Sequence, residues 1–142
     1  EKEQELKMSK KGVEDEKKQT EGNPEIKQQR EQKQQEMAQE RMMQDVPDAD
    51  VVITNPTHFA VAIQFDIDTM EAPLVLAKGQ DELAKRIKDV AKENEIEIVE
   101  EKPVARALYR MAEIGEEIPA ELYQAVAEIL AYVYQMDDER RL

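Results

Sequence analysis

The chain has 142 residues and a net charge of −13, a length that fits one domain plus an extension and an acidity that argues against a role with nucleic acid. With no cysteine and one histidine it has no disulfide frame or thiolate zinc site, so neither metal nor cofactor is expected. No apolar run reaches the roughly 18 residues of a membrane span, and no signal peptide is visible.

Composition shifts near Asp48. The spacing gives residues 1–47 as a charged linker and long helix, 48–138 as a compact α/β domain, and 139–142 as a tail. Glu1 to Glu21 lacks periodicity and is expected to be mobile. Asn23-Pro24 is a good helix start, with Asn as N-cap and Pro at the first helical position. Strong helix formers then run to about Gln44, yet only Ile26, Met37, Met42 and Met43 are large and apolar. Such a helix is mostly solvated, with its end docking on a core. It reads as a spacer, or as a lever between a membrane part and the globular domain. Pro47 should break it.

Asp50-Val51-Val52-Ile53-Thr54 and Phe59-Ala60-Val61-Ala62-Ile63-Gln64-Phe65-Asp66 are β-branched or aromatic runs and read as buried strands, about 49–54 and 58–66. A third strand is expected over 73–77, with Gly79 ending it. A helix follows, with Asp81 and Glu82 favourable in its first turn and Leu83, Ile87, Val90 and Ala91 on one face. Asn94 should end it, and Ile96-Glu97-Ile98-Val99 gives a fourth strand. Pro103 opens another helix, with Val104, Leu108 and Met111 as its stripe and Gly115 as its C-cap. Pro119 opens the last helix, which buries Leu122, Val126, Ile129, Leu130 and Val133. The strand–helix–strand run around Leu83 suggests two parallel strands with a right-handed crossover. The fold class is α/β: a small mixed four-stranded sheet surrounded by helices, with a long N-terminal linker helix.

Between the first two strands stands Asn55-Pro56-Thr57-His58. Asn-Pro is turn chemistry, and proline offers no N–H to a sheet ladder. Pro56 also closes the usual route of asparagine decay, in which the next backbone nitrogen attacks the side chain. What remains is attack by the Asn55 side-chain nitrogen on its own backbone carbonyl, expelling the Pro56 nitrogen and cutting the chain. A strained turn would hold Asn55, Thr57 would shape the turn, and His58 is the residue type suited to assisting by proton transfer or a hydrogen bond. Most Asn-Pro pairs are inert turns, so the dipeptide leaves a plain docking module open as the alternative. Arg106 and Arg110 lie one turn apart and could meet an acidic partner, but the favoured expectation is pairing with Glu113 or Glu117 at the surface. Tyr123, Tyr132 and Tyr134 read as core edge.

The tetrapeptide, with Asp48-Ala49-Asp50-Val51-Val52 before it and Phe59-Ala60-Val61-Ala62-Ile63 after it, resembles the cleavage loop of the FlhB/YscU family, the export switches of flagellar and virulence type III secretion. The resemblance extends to Met70-Glu71-Ala72-Pro73 with Ala77-Lys78-Gly79, to Ala105-Arg106-Ala107-Leu108-Tyr109-Arg110 with Ala112-Glu113-Ile114-Gly115, and to the helix from Leu122 to Ala131. It covers about Met8 to Met136, and its flanks are more like the flagellar branch. The sequence departs from the family where Asn23, Lys17 and Phe59 stand, and nowhere in the tetrapeptide.

The resemblance implies a single-turnover self-cleavage, not a turnover enzyme, with Asn55, Pro56, Thr57 and His58 as its residues. It implies a change of export substrate from rod and hook to filament subunits. It further implies partners among export-gate membrane proteins, the hook-length control protein and export ATPase or chaperone–substrate complexes. The expected place is the cytoplasmic face of the bacterial inner membrane, as a fragment whose missing N-terminal part is membrane-embedded.

Overall fold

A computed structural model of the chain describes residues 22–141. The charged segment from Glu1 to Glu21, expected to be mobile, and Leu142 lie outside the described residues. The chain divides into two units, residues 1–40 and 41–142.

Helix α1 runs Pro24–Asp45. The Asn23 side chain accepts a hydrogen bond from the Glu25 N–H at 3.0 Å, as an N-cap should. Ile26 and Met37 are exposed, in keeping with the sparse apolar positions. Within the second unit, Met42 and Met43 at the helix end are buried, and so is Val46 in the single 3-10 turn that follows, Val46–Asp48.

The second unit is built on a four-stranded sheet of order β3-β2-β1-β4. Its strands are β1 Val51–Asn55, β2 Phe59–Gln64, β3 Leu74–Gln80 and β4 Glu97–Glu100. Strands β1, β2 and β3 pair antiparallel, and β4 pairs parallel with β1. Helix α2, Asp81–Glu93, connects β3 to β4 at opposite edges of the sheet. The strands that flank the helix, β3 and β4, run in the same direction as expected but are not adjacent; the hydrogen-bonded parallel pair is β1 and β4. Helix α3, Lys102–Met111, follows, then a 3-10 turn Ala120–Leu122 and helix α4, Tyr123–Arg141. Pro119 opens that 3-10 turn, and the α-helix begins only at Tyr123.

Both sheet faces are buried, which is why β1 and β2 are continuous apolar runs. Val51, Ile53, Val61, Ile63 and Val75 face Ala105, Leu108 and Ala112, and Val126, Ile129, Leu130 and Val133 of α4. Val52, Ala60, Ala62, Leu76 and Ala77 face Ala84, Ile87 and Ala91 of α2, together with Met42, Met43 and Val46. The neighbours Leu76 and Ala77 share a face because the β2–β3 register shifts between Ala62 and Ile63, as a bulge requires.

Four local expectations are corrected. Gly79 does not end a strand: it lies within β3, opposite Ala60. A Cβ there would come within 2.7 Å of Leu83 Cγ, so glycine answers a close approach of α2. On α3 Leu108 is buried and Val104 packs against the core as expected, together with Ala105, but Met111 is exposed. Gly115 does not cap that helix, whose C-cap is Ala112. Lys78 of β3 instead donates to the carbonyls of Tyr109 at 3.0 Å and Ala112 at 2.7 Å. A cation at a helix C-terminus meets both the orphan carbonyls and the dipole. Gly115, at φ +84°, serves a later turn that lays residues 115–118 along the start of β3. There its N–H bonds the Val75 carbonyl at 2.7 Å and Ile118 bonds Pro73 at 2.9 Å. Finally, Arg106 and Arg110 form no ion pair with Glu113 or Glu117 among the described residues; they are exposed beside Lys102 and Pro103.

Candidate functional site

The hairpin between β1 and β2 is short because both strands run nearly to Pro56. Asn55 is the last residue of β1 and pairs with Phe59, the first of β2. Pro56, Thr57 and His58 form the turn and are exposed, while Asn55 is half-buried. The four sequence-derived site residues thus lie together at one end of the sheet, and Asn55 belongs to the ladder.

The turn is closed by one backbone bond: the His58 N–H donates to the Asn55 carbonyl oxygen at 3.0 Å. That oxygen belongs to the carbonyl that the Asn55 side chain would attack. Among the described residues no protein group hydrogen-bonds the Asn55 side-chain amide, so no such bond must break before it turns inward. None of residues 55–58 has a left-handed backbone; the positive-φ non-glycines among the described residues are Asp81 and Glu95. The expected strain is therefore not stored as left-handed φ in the loop.

Helix α2 anchors the loop. The Asp81 N–H donates to the His58 carbonyl at 2.9 Å, and Asp81 does so at φ +52°, a cost accepted only where the surroundings fix the backbone. Lys88 Nζ donates to the Pro56 carbonyl at 3.1 Å. Sequence reading missed both groups. Their signal was spacing alone: seven residues is two helical turns, so positions 81 and 88 share a face.

Below the turn, Phe59 stacks on Tyr109 of α3, ring centroids 4.5 Å apart, and the His58 ring lies tilted 6.1 Å from Phe59. The Lys78 ammonium sits 5.4 Å from the Tyr109 ring centroid, within cation–π range. On β1's other side the Glu101 N–H bonds the Thr54 carbonyl at 3.0 Å. Asn55 is thus preceded by a strand hydrogen-bonded on both edges.

The far end of the hairpin is acidic. Asp50 accepts the Phe65 N–H at 2.7 Å. Burial pushes its carboxyl above the usual range, against the pull of that hydrogen bond, and the Asp66 and Asp137 charges add to the rise. Tyr134 donates to the Phe65 carbonyl at 2.9 Å. Its phenol is also raised, first by burial and then by Asp50, Asp66 and Asp137. Tyr123, Tyr132 and Tyr134 are exposed, not the core edge expected of them. No group of acidic or histidine side chains among the described residues could hold a metal ion, and no helix among them is long and apolar enough to cross a membrane.

The architecture is thus a mixed-sheet α/β domain whose first hairpin presents an Asn-Pro-Thr-His turn held against a helix. The chain belongs to the FlhB HrpN YscU SpaS family, whose model matches residues 1–133. It is 52% identical over 133 residues to the flagellar biosynthetic protein FlhB of Bacillus subtilis, covering 94% of this chain and 37% of that protein. It is 51% identical over 131 residues to the FlhB of Salmonella typhimurium, covering 92% and 34%. The chain therefore spans little more than a third of the curated relatives it matches. Among solved structures it resembles the cytoplasmic domain of FlhB from Shewanella putrefaciens, with a TM-score of 0.69 and 45% identity over 72% of this chain and 79% of that one. It also resembles the C-terminal domain of PscU, with a TM-score of 0.53 and 40% identity over 55% of this chain and 99% of that one.

Proposed function

We propose that the chain is the switch domain of a flagellar type III export apparatus, at the cytoplasmic face of the bacterial inner membrane, and that it cuts itself once between Asn55 and Pro56. The observation that carries this reading is the His58 N–H on the Asn55 carbonyl oxygen. A donor already aimed at the atom where charge develops is what acyl chemistry needs.

In the scission, Asn55 Nδ2 forms a bond to the Asn55 carbonyl carbon, and the bond from that carbon to the Pro56 nitrogen breaks. Nδ2 gives up one proton and the Pro56 nitrogen takes one. The products are a C-terminal cyclic imide on residue 55 and a free secondary amine on residue 56; water opens the imide afterwards. His58 supplies its N–H to the oxyanion, and its imidazole relays the proton. Thr57 sets the turn that brings His58 back over Asn55. Nucleophile and electrophile belong to one residue, so orientation carries most of the acceleration. Shortening a lifetime on the order of a year to minutes takes about five decades, or ~7 kcal/mol. This is a single-turnover event; no second substrate is processed.

Scission need not unfold the domain, because β1 stays paired with β2 and β4 and its side chains are buried. What changes is the freedom of the turn and the surface around it. In the full apparatus that change would shift export from rod and hook subunits to filament subunits. The partners would be export-gate membrane proteins, the hook-length control protein and export ATPase or chaperone–substrate complexes.

A second reading keeps the fold as a docking module with an inert turn. It is favoured by the absence of left-handed backbone in residues 55–58. Asn55→Ala in the intact apparatus separates the two: loss of filament-class export with hook-class export retained supports the switch, and unchanged export of both classes contradicts it.

A further inference from the structure

Helix α2 meets the turn at two points, and both lie on the leaving side of the Asn55–Pro56 bond: Asp81 on the His58 carbonyl and Lys88 on the Pro56 carbonyl. Lys88 is half-buried as a residue, and its contact with the turn is exposed to solvent. We infer that Lys88 is a positioning residue for the scission, a role that rests on the self-cleavage reading above.

Two physical effects follow from the contact. Cyclisation within Asn55 needs the peptide that breaks to stay in place while the side chain turns. A Pro56 carbonyl tied to a helix cannot rotate away with the attack. The charge also matters. When Nδ2 has lost its proton, the tetrahedral intermediate carries negative charge on the Asn55 carbonyl oxygen, and a fixed cation on the neighbouring peptide favours it over the neutral amide. The same cation disfavours protonation of the amine formed at Pro56, which opposes its departure in part and makes the titration of that amine in the cleaved product a readout of the contact. After scission the ammonium and the new Pro56 amine lie within one residue of each other. Their like charge loosens the clasp that held the turn before the cut.

The test is a time course of intact mass on freshly refolded protein, comparing the parent with Lys88→Met, Lys88→Arg and Asn55→Ala. Lys88→Met should slow appearance of fragments 1–55 and 56–142 by about tenfold, less than a direct oxyanion donor is worth because the contact is solvent-exposed, and Lys88→Arg should stay within about threefold of the parent. In the cleaved parent, the Pro56 amine followed by NMR should titrate lower than in cleaved Lys88→Met, and should rise as salt screens the pair. The salt dependence in the cleaved parent needs no substitution, so it stands even if Lys88→Met folds poorly. If the parent cuts and Lys88→Met cuts as fast, or the Pro56 titration ignores salt, Lys88 has no such role and the self-cleavage reading is untouched. A parent that never cuts removes the self-cleavage reading and this role with it.

Discussion

The His58 backbone N–H lies 3.0 Å from the Asn55 carbonyl oxygen, so in the proposed scission the third residue after the bond would contribute through its main chain as well as its ring. The two contributions are separable. His58→Ala keeps the N–H and loses the imidazole, and should slow cleavage by roughly 10²-fold without abolishing it. His58→Pro loses both and should slow it by a further 10²-fold or so, the scale of one oxyanion donor. Fragment mass against time reads both. Equal rates in the two variants would show that the backbone donor contributes nothing.

Lys78 ties β3 to the end of α3 through the Tyr109 and Ala112 carbonyls. Lys78→Met keeps most of the stem and leaves both acceptors without their donor. The domain should lose about 1–3 kcal/mol in urea unfolding. Lys78→Arg should recover part of it.

Gly79 has no room for a methyl group, since its Cβ would lie 2.9 Å from Leu83 Cβ as well as 2.7 Å from Cγ. Gly79→Ala should cost about 1–3 kcal/mol as α2 is forced off the strand. Adding Leu83→Ala should return part of that loss, a coupling that a double-mutant cycle measures. Because α2 also holds the turn, Gly79→Ala should slow cleavage more than its stability loss alone explains.

Asp50 titrates above the usual carboxylate value of 3.8, chiefly through burial. The folded state therefore holds its proton to higher pH than the unfolded chain does. Stability falls as pH rises through this window, and the full cost of the buried charge is present at neutral pH. Asp50→Asn removes that cost while keeping an acceptor for the Phe65 N–H. It should stabilise by up to about 1 kcal/mol at pH 7, a modest figure because the site is partly solvated. The gain should vanish below the usual carboxylate range. Urea unfolding of both proteins at pH 7 and at acid pH checks it; a loss at pH 7 would mean the Phe65 bond depends on the negative charge.

The strands were legible because two buried faces make Val51–Thr54 and Phe59–Ile63 uninterrupted apolar runs, and the turn between them because Asn-Pro is its own punctuation. Glycine was harder. Gly79 and Gly115 both read as stops, yet one accommodates Leu83 and the other a turn beside β3. Telling a stop from a close approach requires knowing which helix lies overhead. The cap on α3 was hidden for a related reason: the donor is Lys78, more than thirty residues away in sequence. At the site the four residues of the turn were legible as chemistry. The groups that hold it were not, since Asp81 and Lys88 reach it only once α2 has packed across Ala60, Ala62 and Ala77. Residues 55–58 have no positive φ, and the left-handed residue at the site is Asp81 in the neighbouring helix.

The most direct test of self-cleavage is intact mass under denaturing conditions, on freshly purified protein and after prolonged incubation, with Asn55→Ala in parallel. The account requires two fragments, residues 1–55 and 56–142, from the parent and a single unbroken chain from Asn55→Ala. An unbroken parent after prolonged incubation would contradict it and leave the domain as a docking module with an inert turn.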